Sequence, residues 1–383
     1  MATDFYTNME TLVDTLHASR QVPFLHSAPG NGKSTFARAL ASRGSVAYGG
    51  ARHTVSPTFI ELRLGGRDPR DLIGIPVRSS AVVEGMMWNT TEDTVPRWAL
   101  TVAEAAADGS IVYVLVDEVT HAPQDVQLAF QDVILDYRLP NGFTLPPSTR
   151  FILAGNLRSD VAGVHDMVES LSARVSHLDF TPPLSDWLAR MSGGGFAGEE
   201  VSPEVASARR LIADYLTEHP EYAYDETADR TGPWANRRSW TRLADVIATL
   251  GIDSPLLPRA ISAGIGPVIG GAFIDSAIAA MPLPEDLLSG KDSVRGLDGV
   301  QATVALNRAI DHAARVGGQD LLDAVTMCNT TAALGGPYVD AAVAAAARLP
   351  KPLLAAGMGA VFTDDGFGGV RFDDALRRAV APA

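Results

Sequence analysis

Cysteine, positive charge and long apolar runs are all scarce in this chain of 383 residues. Cys328 is the only cysteine, so no disulfide can form within the chain and a metal site built from cysteines is excluded. Acidic residues outnumber basic ones by 45 to 31, which gives a net charge of −14. Non-specific binding to nucleic acid requires Lys and Arg to neutralise phosphates, so this balance argues against it, although a local basic channel stays possible.

Membrane-spanning and secretory segments are also missing from the sequence as given. No apolar run approaches the roughly 20 residues that span a bilayer, and residues 1–5 lack the basic and apolar regions of a secretory signal. We therefore expect a cytoplasmic protein. The chain is 46% hydrophobic and 20% charged, which is ordinary for a globular protein with a sizeable core, and its length suggests two to three domains.

A glycine-containing loop at residues 27–35 is the strongest motif that the sequence does contain. It follows the apolar run at 22–25 and precedes a helical pattern at 36–40, which is the strand, loop and helix context of a phosphate-binding loop. Its glycines let successive N–H groups turn towards an anion, and the helix adds its N-terminal donors and positive dipole end. The candidate phosphate-binding residues are Ser27, Pro29, Gly30, Asn31, Gly32, Lys33, Ser34 and Thr35.

Two side chains of this loop have predicted chemical roles. Lys33 can reach the β- and γ-phosphates of a nucleotide, and the Ser34 hydroxyl can ligate Mg²⁺. Position 27 departs from the pattern, which has Gly where this chain has Ser27; we expect that residue to shape the loop without touching phosphate through its side chain. The alternative is a glycine-rich turn with an incidental lysine.

Polar residues follow two further apolar runs. Residues 111–116 are typical of a strand buried on both faces of a parallel sheet, and Asp117 and Glu118 come directly after them. In P-loop ATPases an Asp at this place helps to hold Mg²⁺ and a neighbouring acid orients or deprotonates water; the alternative is a pair of solvated acids. Asn156 ends the apolar run 151–155, at the sheet edge where open α/β sheets bind ligands.

The order of patterns predicts an α/β domain followed by helices. Strands alternating with helices up to residue 183 indicate a doubly wound parallel sheet, and buried-strand patterns stop after that point. Predicted strands are 59–64, 111–116, 151–156 and 175–180, with a hairpin or insertion within 77–98 and a hairpin at 137–145. Predicted helices are 8–19, 99–107, 123–135, 202–218, 236–251, 267–281, 300–316, 319–334, 338–348 and 372–380.

These motifs, in this order, resemble those of the AAA+ ATPases, and more narrowly those of the MoxR branch of the dynein-related group. The resemblance is carried by Pro-Gly-Asn-Gly-Lys-Ser, Val-Leu-Val-Asp-Glu, Ala-Gly-Asn, Ser-Ala-Arg and Arg-Arg-Ser-Trp, and by the Pro- and Gln-containing stretch after Glu118. It covers about residues 5–285. It implies an AAA+ nucleotide-binding core at 1–183, an all-α lid at 184–286 and a C-terminal helical extension at 287–383.

The resemblance also implies roles for single residues. Asn156 matches the sensor-1 position between water and γ-phosphate, and Arg174 matches an arginine finger supplied to the neighbouring subunit. Arg238 matches the lid residue sensor 2; the family usually has Pro before it, and here Arg237 stands there, so these two arginines could exchange roles. The plainer interpretations, a surface arginine at 174 and a helix-face arginine at 238, stay open.

The function that the resemblance implies is ATP hydrolysis, with ATP and Mg²⁺ as cofactors, by a ring oligomer, expected to be a hexamer. Such a ring remodels or activates a protein partner, often one with a von Willebrand A domain. Residues 86–88 and the hairpin at 137–145 could line its pore and grip a polypeptide, or simply pack against the next subunit or their own core. The alternatives are a DNA-acting ring like the McrB branch, a non-hydrolysing nucleotide-dependent scaffold and, more distantly, a small-molecule P-loop kinase.

Overall fold

The computed structural model describes residues 4–48, 51–156, 166–193, 199–226, 231–252, 254–278, 281–297, 299–317, 319–346 and 348–349. The chain divides into two compact units, which are described separately below. The first comprises residues 1–190 and 195–200, and the second comprises residues 191–194 and 201–383. The helix predicted at 372–380 lies outside the described residues.

The first unit is built on a mixed, mostly parallel sheet. Its described strands are β1 (Pro23–His26), β2 (Ser45–Tyr48), β3 (Ala51–Arg63), β4 (Pro76–Val83), β5 (Met86–Asp93), β6 (Ile111–Asp117), β7 (Thr149–Gly155) and β8 (Ser176–Asp179). Six of them form one sheet in the order β2-β3-β6-β7-β1-β8. All neighbours in it are parallel except β2, which runs antiparallel to β3 at the edge. The carboxyl ends of five strands therefore lie along one edge of the sheet.

Apolar side chains cover both faces of this sheet. Alternate residues of β6 point to opposite faces, so Val112, Val114 and Val116 join one buried cluster while Tyr113 and Leu115 join the other. The predicted doubly wound α/β fold is confirmed, with an antiparallel strand added at one edge. The helices of this unit are α1 (Phe5–Ala18), α2 (Lys33–Ala41), α3 (Pro69–Ile73), α4 (Arg97–Ala105), α5 (Gln124–Asp136), α6 (Glu169–Ser172) and α7 (Leu184–Ser192, whose last two residues fall in the second unit).

The second unit is helical throughout its described part. Its aromatic centre joins Tyr215, Trp240 and Phe273, whose ring centroids lie 5.0 Å (Tyr215 to Phe273) and 5.4 Å (Trp240 to Phe273) apart. A second buried cluster lies among the helices after residue 283. The helices are α8 (Pro203–Glu218), α9 (Arg237–Leu250), α10 (Leu257–Ile265), α11 (Pro267–Phe273), α12 (Pro284–Leu288), α13 (Gly299–Val316), α14 (Gln319–Ala332) and α15 (Pro337–Ala346).

Local differences from the predicted elements have physical explanations. The helix predicted at 267–281 is regular only to Phe273, and a π-helical turn at Ile274–Ile278 follows it. The strand predicted at 59–64 begins eight residues earlier, at Ala51, because its first half pairs with β2 and does not need an apolar alternation to be held in the sheet.

No helix among the residues described here is long and apolar enough to cross a membrane.

The hairpins predicted within 77–98 and at 137–145 differ in how much of each is paired. β4 and β5 pair along their whole lengths as an antiparallel two-stranded sheet. Residues 137–145 instead make a single antiparallel bridge, between Arg138 and Thr144, around a turn in which Gly142 has φ 87°.

Candidate functional site

The loop between β1 and α2 has the backbone shape expected of an anion-binding loop. Gly30 and Gly32 adopt φ values of 89° and 91°, which other residues rarely adopt. Gly32 is the N-cap of α2, and it leaves the N-terminal donors of that nine-residue helix without a side-chain cap. Those donors are available to an anion, where the helix dipole also favours negative charge.

The Lys33 ammonium is buried inside this loop. Its side chain begins in the first turn of α2, the residue is only 8% exposed, and four neutral oxygens lie within hydrogen-bond distance of Nζ, which has three N–H donors. These are the Ser27 carbonyl at 2.9 Å, Ser27 Oγ at 3.0 Å, the Ala28 carbonyl at 3.3 Å and Asn156 Oδ1 at 3.0 Å. Burying an ammonium is costly unless it is well hydrogen-bonded, so this cradle holds a positive charge in a fixed place.

Ser27 contributes a contact that its position in the pattern does not predict. Its hydroxyl donates to the Ala28 carbonyl at 3.1 Å and accepts from Lys33 Nζ, and the residue is 4% exposed. The departure from Gly therefore supplies Lys33 with an additional acceptor.

The tip of β6 approaches the same loop through Asp117. Ser34 Oγ donates to Asp117 Oδ2 at 2.6 Å, and the Glu118 amide donates to Asp117 Oδ1 at 2.9 Å. Both carboxylate oxygens thus have fixed positions beside the first turn of α2. A hydroxyl paired with a carboxylate in this way offers the kind of oxygen ligands that Mg²⁺ takes alongside substrate phosphates.

Glu118 has an unusual backbone that directs its side chain. Its φ of 59° lies in the left-handed region, which carries a steric cost for a residue with a Cβ. The carboxylate extends over Gly65, where an added Cβ would lie 2.6 Å from Glu118 Oε2. The Leu64 amide donates to the Asp117 carbonyl at 3.0 Å, which keeps the segment after β3 beside the tip of β6.

Asn156 completes the group from the tip of β7. Its Oδ1 accepts from Lys33 Nζ, and its backbone N–H donates to Thr120 Oγ1 at 3.0 Å. Thr120 is 3% exposed and lies in the 3₁₀ turn Val119–His121, directly after Glu118. The ends of three parallel strands and one helix therefore bring six predicted site residues to one edge of the sheet. They are Ser27, Lys33, Ser34, Asp117, Glu118 and Asn156.

The remaining predicted residues lie in several places. Pro29, Asn31 and the exposed Thr35 belong to the loop and the first turn of α2. Arg174 is exposed and precedes β8, with Nη1 donating to the Ser170 carbonyl at 3.0 Å. Because β8 runs parallel to β1, Arg174 lies at the amino-terminal edge of the sheet, opposite the loop that follows β1.

The two lid candidates belong to the second unit, at the start of α9. Asn236 caps this helix and forms a reciprocal capping box with Ser239. Arg237 is half-buried and Arg238 is exposed.

A row of charges borders the site on β3. Glu61 accepts from Arg38 at 2.8 Å and pairs with Arg63 at 2.7 Å, and Arg63 lies opposite Asp117 in the strand register. The hydrogen bond that Arg63 donates to Glu61 raises the pKa of Arg63, with smaller contributions from the charges of Asp117 and Glu118. The Arg63 guanidinium is thus paired with Glu61 on the strand next to the carboxylates.

Sequence reasoning missed Thr120, Gly65 and Gly155 as parts of this site. The available signal was their proximity in sequence to Glu118, to the end of β3 and to Asn156, but contacts between strand tips cannot be read from spacing alone. Among the described residues, no three or more His, Cys, Asp or Glu side chains form a group that could hold a metal ion by themselves.

No protein-family model matches this sequence, and no curated protein sequence matches it. Among solved structures, NtrX from Brucella abortus in complex with ADP is 15% identical, with a TM-score of 0.35 over 84% of this chain and 67% of NtrX. A RuvB mutant from Thermotoga maritima is 13% identical, with a TM-score of 0.33 over 84% of this chain and 85% of RuvB. PCH-2 from C. elegans is 14% identical, with a TM-score of 0.30 over 71% of this chain and 67% of PCH-2. At these scores the similarities indicate nothing about what the site does.

Proposed function

We propose that this protein binds and hydrolyses ATP at the edge of the sheet formed by the tips of β1, β6 and β7. The observation that carries the proposal is the pair of contacts from Lys33 Nζ to Asn156 Oδ1 at 3.0 Å and from Ser34 Oγ to Asp117 Oδ2 at 2.6 Å. They join the glycine loop to the polar residues that end two neighbouring strands, which is the arrangement that phosphoryl transfer from a nucleotide needs.

The residues at this edge of the sheet fit a nucleoside triphosphate with Mg²⁺. The loop N–H groups and the buried Lys33 ammonium would hold the phosphates, since charge-assisted hydrogen bonds from an ammonium to an anion are stronger than those to neutral oxygens. Ser34 and Asp117 would hold the metal and its water shell. Mg²⁺, when bound, supplies charge neutralisation on the phosphate oxygens.

Two side chains would act on the attacking water. Glu118 would polarise it, because its carboxylate is held at the tip of β6 by a fixed backbone. Asn156 would aim it, since its side-chain amide lies beside the loop lysine, with Oδ1 accepting from Lys33 Nζ. Placing these groups accounts for most of the rate of such a reaction, because phosphoryl transfer is catalysed mainly by positioning and charge.

We further propose that the active form is a ring of several copies, of the AAA+ kind and similar to its MoxR branch, which remodels or activates a protein partner. The position of Arg174 supports this proposal: it is exposed and lies at the opposite edge of the sheet from its own loop, where a neighbouring copy could use it. Arg238, or Arg237 in its place, would act as the lid residue.

A Glu118→Gln variant tests the ATPase directly. We expect it to bind ATP with unchanged affinity and to hydrolyse it about 100-fold more slowly or worse, because general-base assistance is typically worth that much. Glu92→Gln, an exposed carboxylate on β5, is the matched control and should hydrolyse ATP like the wild type. A wild type that binds ATP but turns over no faster than Glu118→Gln would indicate a nucleotide-dependent scaffold instead.

A further inference from the structure

Thr120 joins the turn that follows Glu118 to Asn156, the residue directly after β7. Asn156 N donates to Thr120 Oγ1 at 3.0 Å. We infer that Thr120 is a positioning residue, whose hydroxyl sets the place of Asn156 relative to Glu118. The inference deepens the proposed ATPase function and rests on it.

The turn that carries Thr120 is rigid. The Thr120 side chain is almost fully buried, and so are its neighbours Val119 and Ala122. The His121 amide donates to the Glu118 carbonyl at 2.9 Å, which closes the 3₁₀ turn immediately after Glu118. A hydroxyl on such a turn has little freedom to move, so it can serve as a fixed reference point for another strand.

Gly155 allows β7 to approach this hydroxyl closely. An added Cβ at Gly155 would lie 2.8 Å from Thr120 Oγ1, 3.1 Å from Thr120 Cγ2 and 3.1 Å from Phe24 Cε2. The threonine side chain therefore occupies the space that a Cβ at position 155 would need, and its oxygen accepts from the next amide. Both parts of the side chain contribute, but only the oxygen holds Asn156.

The contact continues to the phosphate loop. Asn156 uses its backbone N–H for Thr120 and its Oδ1 for Lys33 Nζ. Thr120 thus follows Glu118 by two residues in the chain, and its hydroxyl is hydrogen-bonded to Asn156, which contacts Lys33. Loss of the hydroxyl would leave the Asn156 amide without this acceptor and would free the residue to shift, while the loop itself kept its shape.

The test compares Thr120→Val, which keeps the shape and loses the acceptor, with Thr120→Ser, which keeps the hydroxyl and loses the methyl group. We expect Thr120→Val to lower kcat about 10-fold or more, because sub-ångström misplacement of a catalytic group is costly. The ATP Kd should change less than about threefold, and Thr120→Ser should stay within about threefold of the wild-type kcat. Equal losses in both variants, or a wild-type kcat in Thr120→Val, would overturn the inference.

Thr149→Val is the matched control at the other end of β7. Thr149 is fully buried, and its hydroxyl oxygen has no hydrogen-bond partner among the described residues. This variant should leave kcat unchanged. If it slows turnover as much as Thr120→Val, the effect belongs to packing of β7 and not to positioning of Asn156.

A double-mutant cycle with Asn156→Ala separates action through Asn156 from a general structural effect. If Thr120 acts through Asn156, the Thr120→Val and Asn156→Ala double variant should turn over as fast as Asn156→Ala alone; additive losses would contradict the inference.

Hydrogen exchange of the Asn156 amide in nucleotide-free protein gives a reading that needs no ATPase activity. It should quicken about 10-fold or more in Thr120→Val and not in Thr149→Val. A wild type without turnover would refute the proposed function, whereas unchanged exchange at Asn156 would refute the role of Thr120.

Discussion

Glu118 and Gly65 form a pair in which the glycine sets where the carboxylate can lie. Because a Cβ at position 65 would meet Glu118 Oε2 at 2.6 Å, and that atom is the far end of a flexible side chain, an alanine there would displace the carboxylate and spare the fold. The position is thus a sensitive reporter of the role proposed for Glu118.

We predict that Gly65→Ala lowers ATP turnover about 10-fold or more while thermal stability and ATP affinity stay near those of the wild type. Steady-state turnover, a melting curve and a binding titration measure the three quantities. Gly44→Ala is the matched control, since an added Cβ there meets no atom within 4 Å and its φ is not positive. Normal turnover in Gly65→Ala would show that the carboxylate position does not limit the reaction.

His17 makes the stability of the first unit depend on pH. Burial lowers its pKa to about 4, although its Nε2 donates to the Phe151 carbonyl at 2.9 Å. The unfolded chain therefore binds a proton more readily than the folded unit between about pH 6.5 and pH 4. The stabilising effect of a neutral His17 is complete above that window and is lost as the pH falls through it.

We predict that the first unit loses about 2 kcal/mol of unfolding free energy through His17 between about pH 7.5 and pH 5. Urea unfolding, monitored through hydrogen exchange of the β7 amides, measures the unfolding free energy of this unit at each pH. His17→Gln, which keeps a donor and does not titrate, should lose the corresponding part of the pH dependence. The same pH dependence in both proteins would assign it to other groups.

At the scale of elements, the parts predicted well from sequence are those whose local patterns match their environment. The apolar run of β6 predicted a strand buried on both faces, which the two buried clusters contain. Apolar residues at helical spacing predicted the helices. The loop after β1 was predicted because its glycines serve a backbone need that exists before any tertiary contact.

The parts that sequence could not give are contacts between elements distant in the chain. Thr120 meets Asn156 across 36 positions, and the Ser27 hydroxyl meets Lys33 only because the loop closes on itself. Neither contact produces a repeating pattern of residue types in the sequence. The edge strand β2 was also missed, since four residues paired on one side carry too short a pattern to distinguish from a loop.

The hairpin of β4 and β5 is an element whose apolar side chains remain outside the core. Val82 and Met87 face each other in the register and are 68% and 76% exposed, and Met86 and Trp88 are also exposed. Packing into the core of the chain itself, one of the interpretations open from sequence, is therefore wrong for these residues. A neighbouring copy and a bound polypeptide remain as occupants of this surface.

We predict that the double variant Val82→Ser, Met87→Ser changes the melting temperature by less than about 2 °C, because exposed substitutions cost little. Leu72→Ser, at a fully buried position of α3, should instead destabilise by about 2 kcal/mol or more. A drop of several degrees in the double variant would mean that the hairpin face is packed in the free protein. Weakened assembly would assign the surface to a neighbouring copy, and loss of partner-stimulated turnover alone would assign it to a substrate.

At the scale of the whole molecule, we propose that a second copy completes the site. In the part of the first unit that the structure describes, Lys33 lies in the site and Arg63 flanks it, while Arg174 lies at the far edge of the same sheet. An arginine supplied to the transition state is worth about 10³–10⁵ in rate. If a second copy supplies it, turnover per chain must rise with protein concentration until assembly is complete.

We predict that Arg174→Ala keeps ATP affinity and lowers turnover by about 10³ or more. Lys33→Ala should be equally inactive for lack of phosphate binding. Mixed in equal amounts, the two inactive proteins should regain about a quarter of wild-type turnover, because a working site then needs an intact Lys33 from one copy and an intact Arg174 from the next in a head-to-tail ring. Arg97→Ala, an exposed arginine paired with Glu104, is the control and should be fully active alone. Recovery in the mixture cannot arise from an arginine that acts within its own chain. Absence of recovery would therefore refute supply by a neighbouring copy, and normal turnover in Arg174→Ala alone would remove Arg174 from the reaction.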